Sequence, residues 1–212
     1  MAKTQDLVME LSVYLTFILA CTILIILPGP TVAVVIANSL KHGTKIGMVT
    51  VAGGMVAMAI LLVFVTLGLS AILENLGQTL TYIKWAGVVY LIYIGYKTWT
   101  AKTSQLSGVK AQAPNPKKIF MRGFIVSISN PKSLVFFGAF FPQFLNPEGN
   151  ITAQLALMSI SFFTIALVLD SAWTLMVNIA KNFLLKSETI INRVSGSFLM
   201  LGGSLLAIIK EK

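Results

Sequence analysis

Two ionisable side chains, Lys132 and Asp170, stand deep inside long apolar runs of this 212-residue chain. On insertion scales each costs roughly 2.5–3.5 kcal/mol at the centre of a membrane helix, so both call for a partner or a task. A mutual ion pair holding two spans together is the economical structural reading. The functional reading gives Lys132 a substrate carboxylate, and gives Asp170 a substrate ammonium or an exchangeable proton. The residues alone leave both open.

Lys132 follows Asn130-Pro131, and the first half of the chain carries a counterpart in Pro28-Gly29-Pro30-Thr31. Proline removes a backbone donor and clashes with the preceding helical turn, and in lipid no water repairs the loss. Each motif therefore predicts a broken helix whose loose backbone groups line a protein-walled cavity. A half-helix beginning after Pro30 or Pro131 offers amides and a dipole to an anion. Carbonyls freed before Pro28 can accept from an ammonium group, and Thr31 adds a neutral hydroxyl. Donors on one side and acceptors on the other suit a zwitterion.

The elements that must position these residues follow from hydropathy. The chain is 56% hydrophobic and 11% charged, against roughly 25% charged in a soluble domain. Apolar runs at 11–40, 46–73, 80–100, 120–144, 153–179 and 190–209 predict an all-α polytopic membrane protein with six transmembrane helices. Several exceed the roughly 17–25 residues of a simple span, so tilt or kinking is expected. The polar, proline-containing stretch 101–118 reads as a cytoplasmic linker between a repeat at 1–100 and another at 119–212, within one integral membrane domain. Three spans per repeat insert the halves in opposite orientation, and each repeat opens with a proline-broken helix. This is the symmetry of an inverted-repeat transporter, with its site at the repeat interface near mid-membrane.

The net charge of +9 is topological. Lys41 and Lys45 fall in loop 1–2; Lys97, Lys102, Lys110, Lys117, Lys118 and Arg122 fall around loop 3–4; Lys181, Lys186 and Arg193 fall around loop 5–6. Every second loop is basic, which places those loops in the cytoplasm and both termini outside, in the periplasm for a bacterial inner membrane. Nucleic acid is not an expected partner. Asp6 and Glu10 cancel the positive start that a signal peptide needs, so residues 1–27 read as retained. Cys21, the single cysteine, reads as a small apolar filler, and His42, the single histidine, as a solvated loop side chain. With no intramembrane His cluster or carboxylate pair, the sequence calls for no catalytic residue, metal or cofactor. It leaves a homo-oligomer open.

Several ordered motifs together resemble the lysine-exporter superfamily (LysE/RhtB type) of bacterial amino-acid efflux proteins. They begin with Leu27-Pro28-Gly29-Pro30, continue through 41–47 to Ala52-Gly53-Gly54, and extend along 84–95. Phe120-Met121-Arg122-Gly123-Phe124, Asn130-Pro131-Lys132 and Phe140-Phe141-Pro142-Gln143-Phe144 follow, and Arg193 to Gly196 with Gly202 close the likeness. The resemblance implies a six-span secondary exporter of amino acids, driven by proton antiport with alternating access. It maps the family's proline motifs onto Pro28–Pro30 and Asn130–Lys132, and its charged span-5 position with a following tryptophan onto Asp170 and Trp173. One departure stands out: Thr31 occupies a place where family members often carry an acid or amide. That implies a small neutral substrate such as threonine, homoserine or leucine; basic amino acids, another cation or metabolite, or a passive channel are the alternatives.

Overall fold

A computed structural model describes residues 9–73, 79–100 and 115–208. Its elements are helical: α1 (Leu11–Ile26), α2 (Pro30–His42), α3 (Thr44–Leu73), α4 (Thr79–Trp99), α5 (Pro116–Ile128), α6 (Pro131–Val135) and α7 (Ile151–Ile208). A π turn (Phe136–Phe140) and a 3-10 turn (Phe141–Phe144) extend α6. Among the described residues three stretches are long and apolar enough to cross a membrane, Thr44–Gly68, Pro116–Phe144 and Ile151–Val177, and the bent pair α1–α2 makes a fourth.

Both expected breaks are present. The Leu27 amide makes the last bond of α1, to Ile23 O at 3.2 Å. Neither Pro28 nor Pro30 has an amide to continue it. Pro30 instead opens α2, where its fixed φ is helical and its missing N–H would be unpaired in any case; the axis bends by 47°. In the second half α5 ends at Ile128, because the residue before a proline is pushed out of the helical region. Asn130 accordingly has φ −68° and ψ 109°.

Two expectations need correction. The helix α5 begins at Pro116, inside the stretch read as linker, because the Asn115 side chain caps it by accepting from the Lys118 amide at 3.2 Å; 101–114 lie outside the described residues. The expected loop between spans five and six is helical too, since Ile151–Ile208 is assigned as α-helix throughout. No proline or glycine occurs between Gly149 and Gly196, so the polar stretch there contains nothing that stops helical hydrogen bonding.

Packing rests on small residues and aromatic rings. Gly53 of α3 lies against the Phe120 carbonyl and Gly123 of α5 against the Thr50 carbonyl, backbone on backbone. Gly95 of α4 and Gly196 of α7 meet in the same way, and Gly203 packs on Leu91. In lipid, where dispersion drives association, such contacts let helices approach closely. Phe17, Phe136, Phe137, Phe141 and Phe162 form a buried aromatic cluster, with Cys21 in the same core. Tyr14 bonds Ser161 at 2.7 Å and Thr66 bonds Ser159 at 3.0 Å, tying α1 and α3 to α7. Leu15, Leu19, Phe64, Leu67 and Val168 face outward, as a lipid-facing surface requires.

Candidate functional site

The two breaks meet. Lys132, 8% exposed, reaches from α6 across to the end of α1 and donates to the carbonyls of Leu24 and Leu27, each at 2.8 Å. Leu24 O is orphaned by sequence: its helical partner four residues on would be the amide of Pro28, which has none. The ammonium supplies the donor that the proline removed. Hydrogen bonds from a charged donor contribute about 1.5–3 kcal/mol each. Two of them are of the size of the insertion cost of a lysine at mid-membrane, so Lys132 is satisfied without a counter-ion in contact. Gly29 permits the approach: a methyl there would lie 3.3 Å from both Cε and Nζ of Lys132.

A second bridge runs beside the first. The Asn130 side chain does two jobs, its oxygen capping α6 by accepting from the Lys132 amide at 3.1 Å and its nitrogen donating to the Thr31 hydroxyl at 2.9 Å. Ser127 also donates to Thr31, at 3.3 Å. Gly54 of α3 leaves room beneath, since a methyl on it would sit 2.8 Å from Ser127 Oγ. Further along α2, Asn38 donates to Thr50 at 2.9 Å. The first broken helix is thus completed by a side chain from the other half of the chain, and the second, capped by its own Asn130, is tied back to the first through Thr31.

Asp170 of α7 is 5% exposed and lies within the field of Lys132, yet no ion pair among the described residues joins them. Its carboxylate takes no hydrogen bond from those residues. Among the described residues every fully enclosed side-chain nitrogen and oxygen has a partner, so the Asp170 oxygens are not fully enclosed. The static ion pair, one of the two readings the sequence leaves open, is therefore not the arrangement found. Lys132 and Asp170 are the only charged residues among the buried ones described.

Of the residues singled out in the sequence, Gly29 is brought against Lys132 and Thr31 against Asn130, with Asp170 within the field of Lys132; Pro28, Pro30 and Pro131 mark the breaks themselves. The carbonyls freed before Pro28 do accept from an ammonium, but it is the chain's own. Ser127 escaped notice as one serine among thirteen positions of helix; its spacing four before Pro131 was the available signal.

Residues 22–209 match the model of the LysE type translocator family. The homoserine/homoserine lactone efflux protein of Salmonella typhimurium is 28% identical over 196 residues, covering 92% of this chain and 95% of that one. The membrane protein YrhP of Bacillus subtilis is 31% identical over 201 residues, covering 88% and 94%. The leucine efflux protein of Klebsiella pneumoniae is 27% identical over 158 residues, covering 74% and 72%. No solved structure gives a significant match. With nearly its whole length matched, the chain belongs to the LysE type translocator family of membrane transporters.

Proposed function

We propose that this protein exports small neutral amino acids, such as threonine, homoserine or leucine, from the cytoplasm by proton antiport with alternating access. The observation that carries the reading is Asp170: a buried carboxylate with no hydrogen bond from the described residues, within the field of the Lys132 ammonium that bridges the two breaks. It is free to take the α-ammonium of a substrate or a proton in its absence, which is the exchange that antiport needs. The start of α2 offers its first amides and dipole to the carboxylate. A basic amino acid would bring a second cation, and no second buried acid is described to receive it. The names of the Salmonella and Klebsiella relatives support an amino-acid cargo.

The same reading makes the fold six spans in two inverted three-helix repeats within the bacterial inner membrane, with both termini periplasmic. Contacts support it. Thr44 beside Thr174 and Thr66 beside Ser159 set the first part of α7 antiparallel to α3. Gly95 beside Gly196 and Leu91 beside Gly203 set its last part antiparallel to α4. A straight helix of 58 residues would measure about 87 Å, against about 30 Å of hydrocarbon, so its two ends serve as separate crossings.

Uptake into inside-out proteoliposomes with an acidic lumen tests the function. Uphill, gradient-dependent accumulation of labelled neutral amino acids is the expected result. Equal leakage of all solutes down their gradients would point to a passive channel, and accumulation of basic amino acids alone would overturn the substrate assignment.

A further inference from the structure

The carbonyls of Leu24 and Leu27 converge on one point between α1 and α2, each 2.8 Å from the same nitrogen. Gly29 keeps that point open on its third side. Two carbonyl oxygens closing on a nitrogen, with no carboxylate in contact, form a seat for an ammonium group, and Lys132 fills it from the other half of the chain. Asp170 meanwhile stands buried and without a hydrogen bond from the described residues, within the field of that same ammonium. Lys132 touches the first group and acts through its charge on the second.

We propose that the Leu24–Leu27 seat is a binding site for a primary ammonium group, that Lys132 occupies it in the unloaded protein, and that an incoming ammonium displaces Lys132 towards Asp170. Taking the displacing group as the substrate's α-ammonium rests on the export reading above; the seat itself does not. One ammonium enters as another leaves, so the carbonyls are never left bare. The Lys132–Asp170 ion pair, absent here, then forms only in the loaded protein. A quaternary ammonium has no N–H to give the carbonyls and does not fit the exchange.

The test uses full-length protein in lipid nanodiscs carrying Lys132→Ala, with methylammonium chloride as probe. Anything that binds the folded state alone stabilises it, so a concentration-dependent rise in melting temperature is expected with methylammonium and not with tetramethylammonium. The rise is smaller in the wild type, where Lys132 competes, and absent in Lys132→Met, whose side chain fills the seat. No rise in Lys132→Ala, or equal rises with both salts, overturns the proposal. Should that variant aggregate on extraction, recovery of monodisperse protein in methylammonium but not in tetramethylammonium supports the seat, and aggregation in both overturns it. No accumulation of amino acids by the wild-type protein in proteoliposomes, alongside an intact methylammonium effect in Lys132→Ala, counts against the export reading alone.

Discussion

The Asn130 side-chain amide and the Thr31 hydroxyl, 99 residues apart in sequence, are 2.9 Å apart across the two helix breaks. Because the Asn130 oxygen also caps α6, the two ends of one side chain can be tested separately. Asn130→Asp keeps the capping acceptor and loses the donor; Asn130→Ala loses both. Removing a cap costs about 0.5–2 kcal/mol, and the lost bond about 0.5–1.5 kcal/mol more. Thermal melting is expected to rank wild type above Asn130→Asp above Asn130→Ala. An aspartate variant as unstable as the alanine one would show that the cap does not outweigh the cost of burying a carboxylate at that position.

Asp170→Asn is expected to abolish proton-driven accumulation while leaving membrane insertion and the elution profile of the purified protein unchanged, since the amide keeps the shape of the carboxyl. Full retention of uphill flux would refute the proton role.

Exchanging the two buried charges, Lys132→Asp with Asp170→Lys, is expected to restore neither folding nor transport. An ammonium on α7 does not replace the donor at Leu24 and Leu27, and a carboxylate at position 132 would face those two acceptors. Wild-type melting in the double variant would mean that pairing, not the carbonyls, holds Lys132.

Gly29→Ala places a methyl 3.3 Å from the Lys132 head group. The long side chain can give by a few tenths of an ångström, so the loss of stability is expected to stay within about 1–2 kcal/mol. Gly123→Val, pressed against the Thr50 backbone where nothing can yield, is expected to lose about 3 kcal/mol or more. Paired melting curves check the order, and a Gly29 variant worse than the Gly123 one would contradict it.

How much of this was legible in the sequence depended on which groups a sequence displays. Pro28, Pro30 and Pro131 state where backbone donors are missing, so both breaks could be read directly. Lys132 and Asp170 announce themselves by charge, but their separation does not: the acceptors of Lys132 are main-chain oxygens of two leucines, and leucine says nothing about its carbonyl. The family likeness was legible because its motifs are ordered along nearly the whole chain. The turn near Lys181 and Lys186 was inferred from polarity alone; without proline or glycine that polarity is compatible with helix, and the segment is helical.

The π turn at Phe136–Phe140 carries one residue more than an α turn needs. Gly138 lies within it and a methyl there would meet nothing. A chain shortened by that single residue can therefore close into ordinary α-helix while Phe141 and Phe144 keep their bearing on Phe17. Anywhere else in the same span, dropping one residue would turn every later side chain by about 100°. The π turn thus gives this span a place where a single deletion need not propagate.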